Sequence, residues 1–229
     1  GDVWSFDLKT RLWTLLMPDA PRSAKTSPGR RAGHVMTPVY STQQGDPLGF
    51  VLYGGRFVDA GDGTGLSADA WFFDITQRSW RQLTLGSTQP PARKYCAEAH
   101  TYVGMPGGKA MLLGLIMGGT TTTPALSCTA DAWAFTLDCA ATTIYWTPLP
   151  NLSAPIYDSR AAADSRAVYS FGGHLCGLEK GQPFFYTNDV TKLPLKPYAQ
   201  ALASQGCHID AKALLAAAPH SHGGASEEL

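Results

Sequence analysis

Charge is scarce in this sequence. Only 16% of the 229 residues are charged, and the 18 Lys and Arg residues balance the 18 Asp and Glu residues, so the formal net charge is zero. Soluble domains usually carry about 25% charged residues. The balance gives no broad electrostatic reason to expect nucleic acid or an anionic membrane as a partner. The low charge density favours a surface that neighbouring chains partly cover.

Long apolar runs are also lacking. A helix that crosses a bilayer needs about 20 consecutive apolar residues, whereas the longest candidate, residues 110–117, has the length of a strand. We therefore predict no membrane span. Because no targeting signal is visible in the sequence, we expect a cytoplasmic location.

The common metal and phosphate motifs are absent. There is no C-x-x-C and no H-E-x-x-H spacing. The stretch "DAGDGTG", residues 59–65, lacks the ligand order and the distal Glu of a calcium loop. The stretch "GMPGGK", residues 104–109, lacks the spacing of a phosphate-binding loop. We therefore predict no cofactor and no metal site.

The chain has five cysteines, which is an odd number. Cys128 and Cys139 flank a predicted strand, so about 11 × 3.3 Å of extended chain separates them. A disulfide requires Cα atoms within roughly 7 Å, and we expect no bond between these two. We interpret all five cysteines as free, buried thiols, which favours a reducing compartment: Cys96, Cys128, Cys139, Cys176 and Cys207.

What the sequence does contain is a repeat. The phrase "GDVWSFDL" at residues 1–8 returns as "ADAWFFDI" at 68–75 and "ADAWAFTL" at 130–137. Apolar runs that end in two glycines precede the later copies, and a further run, "AVYSFGG", closes at residue 173. Alternating apolar residues between turn residues predict four short strands in each unit. A period near 50–65 residues is typical of propeller blades.

The order Arg, Gly-Gly, Asp-x-Trp, Trp resembles the kelch motif. The resemblance covers most of residues 1–190 and is most specific in the second unit. The third unit has Thr136 at the second Asp position, and the fourth has no Trp after Gly173. The resemblance to the kelch motif implies an all-β fold of the galactose-oxidase-like propeller superfamily. We expect a kelch-type β-propeller segment of about three to three and a half four-stranded blades, followed by a short C-terminal helical segment.

The motif residues have structural roles of their own. Paired glycines allow close backbone approach or a left-handed turn, and tryptophans can fill the gap between neighbouring sheets. An arginine in each unit, Arg30 or Arg31, Arg93 and Arg160, is expected to bind carbonyl groups or an Asp of a neighbouring strand. The predicted structural residues are Trp4, Gly54, Gly55, Trp71, Trp80, Gly118, Gly119, Trp133, Trp146, Gly172 and Gly173.

The predicted organisation follows the repeat. Residues 1–195 hold a half blade at 1–16, blades at 30–86 and 91–149, and a degenerate blade at 158–195. An Ala-rich helical segment follows at 196–218, with a flexible tail at 219–229. Since the first copy starts at a third strand, we weigh three explanations: missing blades lie N-terminally, another chain supplies them, or the N-terminal strands pair with the final unit in a small ring.

The long loops supply the candidate binding surface. In a meander blade, loops between the second and third strands share a face with the connections between blades. Loops longer than folding requires often carry function, and Arg and aromatic residues are common interface anchors. The candidates on this face are Arg22, Lys25, Arg56, Phe57, Asp59, Asp62, His174, Glu179 and Phe184.

We therefore predict a non-catalytic protein-binding or scaffolding module, with a protein partner or other subunits of a complex. The alternative is a propeller enzyme of the copper-radical oxidase type, with its site partly outside this chain. Such an enzyme needs two His, two Tyr and a Cys joined to one Tyr around copper. Ligands would then come from His34, Tyr95, Cys96, Tyr169 and His174. A third hypothesis is a structural subunit of a large complex.

Overall fold

β-Strands dominate the computed structural model of the chain. It describes residues 1–20, 25–41, 45–58, 65–105, 109–122, 127–176, 185–209 and 214. Within these ranges the strands form four sheets in chain order, accompanied by small two- and three-stranded ladders. The predicted all-β class is confirmed.

The first two sheets cover the N-terminal third of the chain. The first sheet pairs β1 (Val3–Phe6) with β2 (Trp13–Met17). The second sheet is an antiparallel meander in the order β4-β5-β7-β8, and β3 pairs with β6 beside it. Its strands are β3 (Arg31–Ala32), β4 (Val35–Tyr40), β5 (Pro47–Tyr53), β6 (Arg56–Phe57), β7 (Ala70–Asp74) and β8 (Ser79–Gln82).

The third sheet is the largest. Its order is β10-β11-β14-β15-β9, with β9 parallel to β15, and β12 pairs with β13 in a separate ladder. Strand β11 (Ala110–Met117) is buried along nearly its whole length, because its side chains belong to two hydrophobic clusters, one shared with the second sheet and one with the fourth. The strands are β9 (Thr84–Leu85), β10 (Ala97–Gly104), β11 (Ala110–Met117), β12 (Thr120–Thr122), β13 (Ser127–Cys128), β14 (Ala132–Leu137) and β15 (Thr143–Leu149).

The fourth sheet has three strands in the order β17-β18-β21, with a ladder β16-β19-β20 next to it. The strands are β16 (Ile156–Tyr157), β17 (Arg160–Ala163), β18 (Ala167–Phe171), β19 (His174–Leu175), β20 (Phe185–Tyr186) and β21 (Val190–Pro194). In the described ranges β1 and β2 pair only with each other. The hypothesis that the N-terminal strands pair with the final unit is therefore wrong for this structure.

A short helical segment follows the fourth sheet. A 3₁₀ turn (Lys196–Tyr198) leads into α1 (Ala199–Gln205), which ends at Gly206. Leu202 is buried, and the Cys207 N–H donates to the Leu137 carbonyl oxygen at 2.9 Å. The helix therefore packs against the third sheet. The predicted tail, and most of residues 210–218, lie outside the described residues.

Four of the five cysteines form disulfides. Cys128 bonds to Cys176 and Cys139 bonds to Cys207, while Cys96 is the free cysteine in the described ranges. The expectation of five free thiols is therefore wrong. The bonded cysteines are 48 and 68 residues apart in sequence, and the fold brings each pair together. Disulfides persist in oxidising compartments, so the argument for a reducing one is lost as well.

The helices of the described ranges are all too short or too polar to span a bilayer.

Candidate functional site

An arginine, an aspartate and a tryptophan form one constellation in the second sheet. The Arg31 guanidinium donates to both carboxylate oxygens of Asp69, at 2.6 and 3.1 Å, and Trp71 Nε1 donates to the same carboxylate at 2.7 Å. Arg31 Nη1 also donates to the Gly54 carbonyl oxygen at 2.9 Å. The constellation therefore ties the start of the unit to its glycine turn and to its third strand.

The third sheet repeats this geometry. The Arg93 guanidinium donates to both carboxylate oxygens of Asp131 at 2.6 Å, and Trp133 Nε1 donates to Asp131 at 2.7 Å. Arg93 also reaches the Gly118 carbonyl oxygen at 3.1 Å. In both sheets the arginine and the aspartate are 38 residues apart. These aspartates belong to the Asp-x-Trp pattern of the motif, and this constant separation is the further sequence signal that pairs each one with its arginine.

Both aspartates of these constellations have pKa values below the ordinary value of an aspartate. Burial opposes ionisation of Asp131, but hydrogen bonds from Arg93 and Trp133 outweigh it, so the pKa of Asp131 lies below its ordinary value. Burial likewise opposes ionisation of Asp69, and its hydrogen bonds, chiefly from Arg31, lower its pKa. For Arg93, burial works against the charge, yet the bond to Asp131 leaves its pKa raised.

The fourth unit has isoleucine where the second and third units have arginine. In the first two glycine pairs the second glycine donates its N–H to the next unit, from Gly55 to the Arg93 carbonyl and from Gly119 to the Ile156 carbonyl, both at 2.8 Å. Ile156 therefore stands in the arginine position. The predicted equivalence of Arg160 is wrong, because Arg160 begins strand β17, whereas Arg93 lies four residues before its strand.

The first sheet has the aspartate and the tryptophan without the arginine. Trp4 Nε1 donates to Asp2 Oδ2 at 2.7 Å, the same distance as in the other two sheets. In the described part of the chain no guanidinium lies within ion-pair distance of Asp2. Trp4 is 49% exposed, whereas Trp71 is 5% exposed.

A cavity of about 240 Å³ lies between the first and second sheets. Asp2 and Trp4 line one side, and Met36, Leu52 and Trp80 line the other. We call this cavity the first groove. Large exposed apolar side chains are concentrated on the sheet beside it: Trp4, Phe6, Leu8, Leu12, Trp13 and Leu15.

A ladder of turns joins successive units. Gly33, Tyr95 and Asp158 all have left-handed φ values, of 68°, 57° and 53°, just before the first strand of their sheets. The Tyr95 N–H donates to the Gly33 carbonyl, and the Asp158 N–H donates to the Tyr95 carbonyl, both at 2.8 Å. The third unit is thus bound to the second, and the fourth to the third, through the same backbone atoms. We call this the turn ladder.

The predicted loop-face candidates are only partly accounted for. Lys25 is exposed, while Arg56 and His174 are half-buried. Phe57 is buried, with the Arg31 guanidinium 4.7 Å from its ring centroid, so it is not the exposed anchor that the sequence predicts. The other five lie outside the described residues: Arg22, Asp59, Asp62, Glu179 and Phe184.

Two of the candidate copper ligands, Cys96 and His174, are half-buried. Among the described residues, no three His, Cys, Asp or Glu side chains come together in a way that could hold a metal ion. Burial raises the pKa of the Cys96 thiol to about 12. His174 lies between two aromatic rings, with its ring centroid 4.8 Å from Tyr157 and 4.4 Å from Tyr186.

Comparison with known proteins identifies the architecture. No protein-family model and no curated protein sequence matches the chain. Among solved structures, YjhT, a kelch-type propeller protein, superposes with a TM-score of 0.57 at 17% identity. The match covers 84% of this chain and 59% of YjhT. The fold is β-propeller-like. At this level of identity the likeness shows the fold alone.

Proposed function

We propose that the chain is a non-catalytic protein-binding module of the kelch type, and that its first sheet carries the binding surface. The observation that carries the proposal is the exposed apolar face of this sheet, where Trp4, Phe6 and Trp13 stand in solvent. Soluble proteins rarely leave contiguous apolar patches uncovered unless a partner binds there. Aromatic residues are also the usual anchors of protein interfaces.

The backbone of the first sheet supports the same proposal. Among the described residues β1 pairs only with β2, and an open strand edge offers N–H and C=O groups to an incoming strand. The repeated constellation of arginine, aspartate and tryptophan supports the assignment to the kelch type, since it recurs at the same points of two successive units.

The two disulfides support an oxidising compartment as the place of action rather than the cytoplasm.

Site-specific photo-crosslinking tests the proposed surface. A photoreactive amino acid replaces Trp13 in one variant and Tyr186 in another, because both side chains are exposed but Tyr186 belongs to the fourth unit. In cells that make the protein, we expect polypeptide adducts from position 13 and not from position 186. Equal adducts from both positions, or none from position 13, would contradict the proposal.

A further inference from the structure

We propose that a cavity in the fourth unit binds the guanidinium group of a small molecule, with the Asp189 carboxylate as its anchor. The cavity has a volume of about 80 Å³, and its lining includes Ile156, Gly172, Thr187, Asp189 and Thr191. We call it the fourth-unit cavity. The inference goes beyond the proposed function, because it concerns a different unit and a different kind of ligand.

The backbone at Asp189 repeats the aspartate turn of the earlier units. The Gly172 N–H donates to the Asp189 carbonyl at 3.3 Å. In the third unit the Gly118 N–H donates to the Asp131 carbonyl at 3.0 Å. The Asp189 N–H donates to Thr187 Oγ1 at 3.0 Å, as the third-unit aspartate donates to its own threonine at 3.2 Å. Asp189 therefore stands on the turn that carries the arginine-binding carboxylate in the earlier units.

Two substitutions inside the fourth unit remove the usual partners of this turn. Ile156 stands in the position of the arginine. Thr191 stands in the position of the tryptophan, because Thr191 pairs with Ser170 in the same register in which Trp133 pairs with Ile116. Isoleucine has no donor, and threonine is much smaller than tryptophan. The fourth-unit cavity lies beside both of these residues.

The earlier units show which group this turn accepts. Arg31 and Arg93 each donate to both carboxylate oxygens of their aspartate and to the carbonyl oxygen of the first glycine. Asp189 and Gly172 carry the same acceptors, and both line the fourth-unit cavity. Within the described ranges no Lys or Arg side chain lies within ion-pair distance of Asp189. The planar fork of a guanidinium matches such a carboxylate through two parallel hydrogen bonds.

The walls and the size of the cavity favour a guanidinium over an ammonium group. Leu152, Ile156 and Leu175 form apolar parts of its lining. A guanidinium is weakly hydrated and tolerates such walls, whereas an ammonium is a strongly hydrated point charge. Sites for whole drug-sized ligands measure about 300–1,000 Å³. A cavity of about 80 Å³ therefore suits a single functional group.

Access to this turn does not require an uncovered end of the array. Asp69 and Asp131 belong to units that a further unit follows, and their side chains are still 20% and 24% exposed. Asp189 is exposed as well. A small molecule can therefore reach the aspartate of a unit even where a neighbouring unit lies against it.

N-Ethylguanidinium is the probe, and N-ethylurea is its neutral counterpart of the same shape. Each is titrated into the intact, ¹⁵N-labelled 229-residue protein, and the amide signals of Gly172, Thr187 and Asp189 are followed by NMR. We expect saturable shifts of these signals with N-ethylguanidinium and none with N-ethylurea. Asp189→Asn should weaken the binding at least about tenfold, because it removes the charge that accepts the two hydrogen bonds.

Asp164→Asn is the matched control. Asp164 is an exposed aspartate of the same unit, and its carboxylate accepts from the Arg166 and Ala167 N–H groups outside the cavity. This variant should keep the affinity of the unchanged protein. Equal affinity for the unchanged protein and Asp189→Asn, or equal shifts with N-ethylguanidinium and N-ethylurea, would overturn the inference whatever crosslinking at position 13 shows.

Two further measurements locate the ligand and identify its source. Ile156→Arg should abolish binding, because its own guanidinium would occupy the cavity; undiminished binding by the folded variant would show that the ligand lies elsewhere. A capped Gly-Arg-Gly peptide should bind no more tightly than N-ethylguanidinium. Tighter binding of the peptide would overturn the small molecule as ligand and assign the site to an arginine of a polypeptide.

Discussion

Arg93 has no exposed side-chain surface, yet it carries a full charge between two sheets. Removing one member of a buried ion pair leaves the other without compensation and costs about 3–5 kcal/mol. We expect Arg93→Ala to lower the free energy of unfolding by about 3 kcal/mol in urea denaturation. Arg160→Ala is the control, since the Arg160 pair with Asp158 is exposed on both sides. Equal losses in the two variants would contradict a special role for Arg93.

The same ion pair makes stability depend on pH. The folded-state pKa of Asp131 lies below its ordinary value of 3.8, so the unfolded chain takes up protons first as the pH falls. The stabilisation is therefore complete above pH 3.8 and is lost as the pH drops through the lower folded-state pKa. Chemical denaturation between pH 6 and pH 2 should show a shallower acid loss for Asp131→Asn than for the unchanged protein. Parallel curves would contradict this assignment.

The cysteines allow a direct chemical count. Alkylation of the denatured, unreduced protein should label one thiol, and reduction should reveal five in total. In the native protein Cys96 should react slowly at pH 8, because burial raises its pKa to about 12 and the thiolate is the reactive form. Five labelled thiols without reduction would mean that neither disulfide forms.

The sequence predicted the roles of some residues and missed those of others, for physical reasons. The sequence named Arg93 and left Arg30 and Arg31 as alternatives, and the structure shows that Arg31 and Arg93 each pair with an aspartate 38 residues further along the chain. The motif misassigned Arg160, because the connection before the fourth unit places Ile156 in the position that forms the interface. It also missed both disulfides, since pairing depends on which loops meet in space and leaves no periodic signal along the chain.

At the scale of elements, the glycine pairs govern how neighbouring units join. Gly118 has φ +62°, and a Cβ there would lie 2.3 Å from the Ile156 carbonyl oxygen. Because neither backbone can move without separating the third and fourth units, Gly118→Ala should cost at least about 2 kcal/mol. Thermal denaturation measures the loss.

Gly104→Ala is the matched control for this substitution. A Cβ at Gly104 would meet nothing within 4 Å, so the melting temperature should be nearly unchanged. A similar drop in both variants would show that the crowding at Gly118 is not the cause.

The sequence predicted the main strands of each sheet better than the short two-residue strands beside them. Phrases such as "DAWFFDI" alternate at the period of a strand, and β7 forms within that phrase. The two-residue strands β3 and β6 have no such signal. They form because Arg31 and Phe57 are brought together by the turn at the two glycines, which is a consequence of the assembled unit.

At the scale of the whole molecule, stability should vary along the array. The first sheet has two strands and an exposed apolar face, whereas β11 is buried between neighbours. Two-stranded sheets are marginally stable alone. Hydrogen exchange followed by mass spectrometry should therefore show faster exchange in residues 3–6 and 13–17 than in residues 111–117. Uniform protection across the array would contradict this gradient.

The turn ladder gives the molecule a direction. Tyr95 donates backward to Gly33, and Asp158 donates backward to Tyr95, so the earlier unit always accepts and the later unit always donates. The two ends of such an array therefore differ: one presents a backbone donor and the other a backbone acceptor. Two copies that met at identical ends around a twofold axis would bring like groups together. Any joining through this ladder must therefore run head to tail, and it can only continue the array or close it into a ring.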